Sequence, residues 1–364
     1  MTVEARAAAR PYIGGQAVLE GVMMRAPRSF AVVVRRRDGS LDVRERAMVE
    51  RKGSLAKWPL VRGVASLVES LKLGGEALRF SVAQMEKDFA SAATATLMAF
   101  GLSLVAMTTR PDEEPDQPAA SGGKRAGMWI MLAVAITFLV ALPQGIAAGV
   151  NRAFHLGLEV QSPQFQAITG AFKLSVVVGY MLAIRRVPDI RRVFQYHGAE
   201  HKTISTYEAG EALTVENARR KTTLHPRCGT TFLVMVVLVS ILVFTAIGAL
   251  LPRIHTGSAL LDNMAFFFEK LPFLPIITAV TFEIQRIFAR YFTRGPLRIV
   301  LWPGFLVQKI TTAAPDDDQL EVALASLRVT LFRQQEGEND AVESDVSFPS
   351  YAALLAAPRL RSAA

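Results

Sequence analysis

One polar stretch of the chain, from Phe194 to Thr231, contains most of the side chains that could bind a metal or catalyse a reaction. It holds three of the five histidines and the only cysteine. His197 and His201 are four residues apart, so a helix would place both imidazoles on one face, about 6 Å apart at Cβ, with Glu200 beside them. This spacing is typical of a divalent-metal site.

A second pair of candidate ligands follows about two dozen residues later, where His225 and Cys228 have an H-x-x-C spacing. Imidazole and thiolate ligands suit Zn²⁺ or Fe²⁺ better than Mg²⁺ or Ca²⁺. We therefore predict that His197, His201, His225 and Cys228 are metal ligands, with Zn²⁺ favoured over Fe²⁺. The segment from His197 to His201 also fits the H-x-x-E-H pattern of inverted zinc peptidases, which makes Glu200 the candidate general base.

Three functional classes are compatible with these residues. A site with three protein ligands and an open position indicates a metal-dependent enzyme, such as a hydrolase. A site closed by four ligands indicates a structural metal in a membrane scaffold or assembly factor. A transporter or lipid-handling protein, with Lys173 and Glu283 along a path, is the least favoured class, because the sequence has no internal repeat and no paired broken helices.

The composition indicates a membrane protein. The chain has 364 residues, 51% of them hydrophobic, and a net charge of +9. The basic residues flank apolar runs and are not interleaved with aromatic residues, so we expect the lipid bilayer as partner and no specific binding of nucleic acid. A single cysteine excludes an intramolecular disulfide and fits a reducing compartment. The first ten residues lack the apolar core of a cleavable signal peptide.

Four apolar stretches are long enough, or nearly so, to cross the hydrocarbon region of a bilayer. They are Met128–Val150, Ala167–Ile184, Thr230–Leu251 and Leu271–Ala289. With four spans, the basic blocks before, between and after them all lie on the cytoplasmic side. We therefore interpret the shorter stretch Ser91–Met107 as interfacial or re-entrant, and we predict cytoplasmic N- and C-termini.

The polar segments divide the rest of the chain. Residues 12–90 are predicted to form a cytoplasmic domain with a β-hairpin, turning at Asp38-Gly39, and an amphipathic helix. Residues 91–127 form an interfacial segment and linker, residues 185–229 the metal-site stretch, and residues 290–333 a cytoplasmic loop, broken at Pro303-Gly304, and a docking helix. Residues 1–11 and 334–364 are predicted to be disordered.

Four further polar residues are candidates for function. Gln16 and Glu20 lie between glycines that could present them from a tight turn, although a glycine-punctuated strand edge is an equal alternative. Lys173 and Glu283 lie in apolar spans, where a charge is costly. Lys173 could instead reach towards the interface, and Glu283 could pair with Arg286 or Arg290 or add a carboxylate to the metal site.

Several motifs, in the same order, resemble those of one bacterial family. They are GGQAVLEGVMMR, VFQYHGAEHKTISTYE, LHPRCGTTF and the stretch from WPGFLVQKITT to DDQLEVAL. Over Tyr12 to Arg328 the chain resembles the YqhQ-like membrane proteins, a domain-of-unknown-function family often described as predicted metal-dependent enzymes. The resemblance implies a bacterial inner-membrane protein whose metal prediction rests on the histidines, cysteine and glutamate named above. It implies no substrate or reaction, and Ala90–Gly127 and the tail after Arg333 are longer than is usual in the family.

Together these observations predict the fold class. We expect a mainly α integral membrane protein with about four transmembrane helices and a small cytoplasmic N-terminal domain with some β-structure. The metal-site stretch would then lie at the cytoplasmic face of the membrane, between the second and third spans.

Overall fold

The computed structural model describes residues 10–48, 61–88, 141–252, 256–291, 301–336 and 344–363, together with Trp58 and Ile299. These residues are mainly helical. The strands are β1 Gly14–Val18, β2 Gly21–Ala26, β3 Ser29–Arg35, β4 Leu41–Ala47 and β5 Ser344–Phe348. The helices are α1 Val61–Asp88, α2 Leu142–Ala153, α3 Pro163–Ile184, α4 Pro188–Ala209, α5 Val215–Arg219, α6 Gly229–Ile247, α7 Ala259–Lys270, α8 Leu274–Tyr291, α9 Trp302–Thr311, α10 Asp317–Glu336 and α11 Tyr351–Ala356.

The five strands form one antiparallel sheet in the order β1-β2-β3-β4-β5. The expected hairpin is β3–β4, and Gly39 supplies its left-handed turn residue with φ of 86°. Side chains of a strand alternate between its two faces. In β3, Phe30, Val32 and Val34 pack with α1, whereas Ala31 and Val33 pack in the core that contains α10. Helices cover both faces, which explains why β3 is an almost continuous apolar run.

Helix α10 joins the two ends of the chain into one core. Leu320, Leu324 and Leu327 are fully buried and belong to the same cluster as Val22 of β2 and Val33 of β3. Their spacing of three and four residues places them on one face of the helix. The N-terminal sheet therefore depends on a helix that lies almost 300 residues later in the chain (Val33 to Leu320 is 287).

The C-terminal residues differ from the predicted disordered tail. Strand β5 pairs with β4, and Arg44 of β4 makes two 2.8 Å hydrogen bonds to Asp345 of β5. Beyond it, Arg359 donates a 2.6 Å hydrogen bond to Glu45, which is fully buried. A short polar strand carries little local signal, because it is stabilised by pairing with the open edge of β4 rather than by its own sequence.

Among the described residues, three helical segments are long and apolar enough to cross a membrane. They are Pro163–Ile184, Gly229–Ile247 and Leu261–Phe288, the last spanning α7 and α8. They correspond to the second, third and fourth predicted spans. Of the first predicted span, only residues from 141 onwards are described, and they form α2. The stretch Ser91–Met107 lies outside the described residues.

The segment around Pro303 is helical, whereas the sequence predicted a surface loop there. Proline is tolerated in the first turn of a helix, where its missing N–H would have no intrahelical partner, and Pro303 occupies the first turn of α9. Gly304 allows α9 to lie against the side chain of Thr231 in α6. The C-terminal end of α9 thereby reaches the start of α6, close to the residues predicted to bind a metal.

Candidate metal centre

Helix α4 carries the two histidines of the predicted site. It begins at Pro188 and ends at Ala209. The residue that follows, Gly210, caps the helix in the left-handed conformation with φ of 75°. Gly198 lies inside the helix, where glycine usually costs about 0.5–1 kcal/mol relative to alanine. A Cβ at Gly198 would collide with the carbonyl oxygen of Ala313, so this glycine permits close packing of α4 against the segment that follows α9.

Three side chains converge at one point. The candidate ligand atoms of His197, His201 and Cys228 all lie within 4.8 Å of one another. His197 Nε2 is 3.2 Å from the Sγ atom of Cys228, and the two imidazole ring centroids are 4.4 Å apart. His201 and Cys228 are buried, and His197 is half-buried. This group could hold a divalent transition metal, because imidazole and thiolate ligands suit such ions.

Backbone carbonyls orient both imidazoles. His197 Nδ1 lies 2.9 Å from the oxygen of Thr311, and His201 Nδ1 lies 2.5 Å from the oxygen of Thr223. When each Nδ1–H donates to its carbonyl, the lone pair of each Nε2 faces the group, as in metal-ligating histidines. His201 Nε2 is buried and has no hydrogen-bond partner among the described residues. A buried acceptor without a partner is costly, and a metal ion at this position would use it.

Cys228 is the N-cap residue of α6, one of the membrane-length helices. Its sulfur lies 3.4 Å from the backbone N–H of Thr230, and the positive end of the helix dipole favours a negative sulfur. Burial opposes ionisation, but the imidazoles of His197 and His201 lower the pKa of the Cys228 thiol well below its ordinary value. In the same way, burial disfavours a charged His197, but Cys228 raises the pKa of this imidazole to about 9. The pair therefore favours the thiolate, which is the form that binds metals.

Glu200 lies beside the same group and is buried. Its side chain packs directly on Gly15 of β1, where a Cβ would lie 2.7 Å from Oε1 and 2.8 Å from Cδ. Burial raises the pKa of the Glu200 carboxyl, and the imidazoles of His201 and His197 oppose this increase. The carboxyl group is thus electrostatically coupled to the candidate ligands, and the absence of a side chain at Gly15 provides its space.

His225 lies next to the group but faces other partners. Its ring centroid is 5.6 Å from that of His201, while its Nε2 is 3.4 Å from Glu208 and its Nδ1 accepts a 3.4 Å hydrogen bond from the N–H of Arg227. Burial lowers the pKa of His225 to about 4. The three-residue group does not include His225, so its role as a fourth ligand stays a prediction.

The two N-terminal candidates lie on opposite sides of β1. Gln16 points towards α1, where its side chain fills the space above Gly74. Glu20 forms two 2.5 Å hydrogen bonds with Arg192 and accepts a 3.2 Å hydrogen bond from Tyr196. Glu20 therefore ties the β1–β2 turn to the first turns of α4, which positions the helix that carries the histidines.

The two charged candidates in the spans also lie outside the three-residue group. Glu283 of α8 pairs with Arg62 of α1, and the Nε–Oε1 distance is 2.6 Å. Arg62 is a partner that the sequence did not indicate. Lys173 is half-buried in α3.

Sequence analysis missed the groups that hold the site in place. Gln308 of α9 accepts a 2.8 Å hydrogen bond from the N–H of His225 and donates one of 2.7 Å to its carbonyl oxygen. A buried polar residue in the apolar stretch WPGFLVQKITT is a signal that could have identified Gln308. The carbonyls of Thr223 and Thr311 had no such signal, because every residue has a backbone carbonyl.

The fold and the site together define a class: a helical chain with membrane-length helices, a five-stranded sheet and a buried His-His-Cys group that could hold a metal. Residues 58–333 match the family described as Protein of unknown function (DUF1385), and the chain belongs to this family. It is also 30% identical over 331 residues to Uncharacterized protein YqhQ of Bacillus subtilis (strain 168), which covers 88% of this chain and 92% of that protein. The resemblance noted in the sequence is confirmed. No solved structure matches the chain.

The contact between Gly15 and Glu200 gives a test of the site's packing. In Gly15→Ala, the new Cβ would overlap the Glu200 carboxyl group. We expect a loss of about 1–3 kcal/mol of stability, as for other overpacked positions, and a lower midpoint of thermal unfolding in detergent. Gly14→Ala is the matched control, because its Cβ would meet no atom closer than 3.6 Å. Equal midpoints for the two variants would contradict the packing described here.

Proposed function

We propose that this protein is a metal-dependent enzyme, a hydrolase, whose site lies at the cytoplasmic face of the bacterial inner membrane. One observation carries the proposal: His197, His201 and Cys228 converge, Glu200 is buried beside them, and the buried His201 Nε2 has no hydrogen-bond partner in the described part of the chain. Zn²⁺ is favoured over Fe²⁺, because imidazole nitrogen and thiolate sulfur are the usual protein ligands of zinc.

The number of ligands supports an enzyme. Catalytic zinc sites have three protein ligands and keep an open position, whereas structural sites are closed by four. His197, His201 and Cys228 would hold the ion, which when bound would supply Lewis acidity and lower the pKa of a water molecule. Glu200 would accept the proton of the attacking water and later return it to the leaving group, as a general base and then a general acid. The carbonyls of Thr311 and Thr223 would keep the two imidazoles in the tautomer that this arrangement requires.

A scaffold or assembly factor with a structural metal is the second candidate. Its supporting observation is the position of His225, whose ring lies 5.6 Å from that of His201. Rotation of this ring away from Glu208 would bring a fourth ligand to the group. A closed shell of four ligands would tie the loop before α6 to α4, and would leave no position for a substrate.

Metal analysis of the detergent-purified protein distinguishes these functions. We expect about one Zn²⁺ per chain, almost complete loss in His201→Ala, and retention in His225→Ala, because only the first variant removes one of three ligands. Loss in both variants would favour the structural site. If the wild-type protein is active without metal, the proposal is overturned. Cys228 would then be the candidate nucleophile and His197 its base, because His197 Nε2 lies 3.2 Å from the sulfur of Cys228.

The role of Glu200 has a separate test. Glu200→Gln preserves the shape of the side chain but removes the proton acceptor, so we expect full metal content and a loss of in-cell function by about two orders of magnitude or more. The measurement is complementation of a deletion strain, with Asp189→Asn as the matched control, because Asp189 is an exposed carboxylate in the first turn of the same helix. Unaltered complementation by Glu200→Gln would favour the scaffold.

Cys228 provides a test of sidedness, because it is the only cysteine of the chain. The basic residues around α4 and in the sheet support a cytoplasmic position for this end of the helices. A membrane-impermeant maleimide should therefore not label intact cells. In permeabilised cells, labelling should be slow until a chelator is added, because a coordinated thiolate is occupied. Rapid labelling of intact cells would contradict this topology.

A further inference from the structure

Two lysines lie within the membrane-length helices, away from the metal centre. Lys173 is in α3, and Lys270 is in the continuous helical segment Leu261–Phe288. The metal centre lies at the N-terminal end of α6, whereas Gly248, just beyond the C-terminal end of α6, packs next to Gln166 and Phe266. The surroundings of Lys270 are therefore at the opposite end of the helices from His197, His201 and Cys228.

Lys270 is held by a polar contact and two aromatic rings. Its Nζ donates a 2.7 Å hydrogen bond to Oε1 of Gln166, which is buried in the first turn of α3. The same Nζ lies 4.2 Å from the ring centroid of Phe266 and 5.3 Å from that of Phe244. These contacts fix the position of the ammonium group, but they do not neutralise its charge.

Lys173 adds a second positive charge to the same region. It follows Gln166 by seven residues, two helical turns, and therefore lies on the same face of α3. Because Gln166 accepts the hydrogen bond from Lys270, Lys173 lies two turns along the same face of α3 from the Lys270 ammonium group. Among the residues that the structure describes, no Asp or Glu forms an ion pair with either lysine. Glu269, the neighbour of Lys270, has a buried Oε2 without a hydrogen-bond partner and does not pair with either of them.

A pair of ammonium groups in an apolar region is stabilised by a nearby anion. Charged side chains in membrane helices are costly and pair with one another or mark a ligand site. Each ammonium group has three N–H donors, and in Lys270 one of them is used by Gln166. A phosphate group has several acceptor oxygens and enough charge to satisfy two lysines at once, and lysine binds phosphate as a point charge.

We propose that Lys173 and Lys270 bind a phosphate group, carried by a phospholipid, at the end of the membrane helices opposite the metal centre. Phe244 and Phe266 would form the apolar wall beside the phosphate. The exposed side chains of Phe268, two residues before Lys270, and Leu271, one residue after it, offer an apolar surface to acyl chains. This site is independent of the metal centre and does not rest on the proposed enzymatic function.

Lipid retention by the full-length protein tests the proposal. After purification in detergent with extensive washing, we expect the wild-type chain to retain bound phospholipid, measured by native mass spectrometry. The double variant Lys173→Met/Lys270→Met should retain at least about tenfold less, because it lacks both ammonium groups that would donate charge-assisted hydrogen bonds to the phosphate. Lys309→Met is the matched control, since Lys309 lies in α9 at the other end, where it stacks on Trp302.

A second double variant separates binding from folding. Lys173→Arg/Lys270→Arg keeps both charges and should retain lipid at the wild-type level, while all variants should elute as single species in size-exclusion chromatography. Equal lipid retention by the wild type and the methionine variant would overturn the proposal. Titration of delipidated protein with inorganic phosphate distinguishes the source of the ligand. If the wild type binds phosphate but retains no lipid, and the methionine variant does not bind phosphate, the phosphate site is supported. The same result overturns its assignment to a phospholipid.

Discussion

The structure depends on one constraint: α4 is packed on both the sheet and α10, and every polar group on its buried face needs a partner. Burying an imidazole or carboxyl group without a partner costs several kcal/mol. Within α4, Glu200, His201 and Thr203 are nearly inaccessible, and the carbonyl of Thr223 accounts for only one atom of His201. The remaining nitrogen of His201 lies in the group with Cys228 and His197 and has no hydrogen-bond partner among the described residues, which is the physical basis of the candidate metal site.

The rest of the molecule supports this arrangement from three directions. The glycine of β1 leaves space for the Glu200 carboxyl, the Glu20–Arg192 contact fixes the start of α4, and α9 brings the carbonyl of Thr311 to His197. The N-terminus of α6 adds the cysteine. Segments that are far apart in the chain thus contribute one group each, and the site exists only when the sheet, α4 and the membrane-length helices are assembled.

The two ends of the membrane-length helices carry different polar groups. At one end, the imidazoles of His197 and His201 and the thiol of Cys228, the candidate metal ligands, converge at the start of α6. At the other end, beyond the last turn of α6, a lysine donates to a buried glutamine and faces aromatic rings. Glu283, which the sequence suggested as an additional ligand, pairs instead with Arg62 and joins α1 to α8. The role of a charged side chain in an apolar helix therefore depends on the group that it contacts: Glu283 joins two helices through Arg62, whereas Lys270 contacts a neutral amide.

The sequence by itself determined the elements whose signals are local. The spacing of His197 and His201, the H-x-x-C pair, three apolar helices and the β3–β4 turn at Gly39 all follow from neighbouring residues. Only the tertiary structure decided that His225 faces Glu208, that Gln16 contacts α1 and Glu20 pairs with Arg192, and that the C-terminal residues complete the sheet as β5. These outcomes depend on contacts between residues up to 314 positions apart, and on backbone carbonyls that every residue type shares. A sequence pattern reports which side chains can reach one another along a helix or strand, but packing selects the partners that they use.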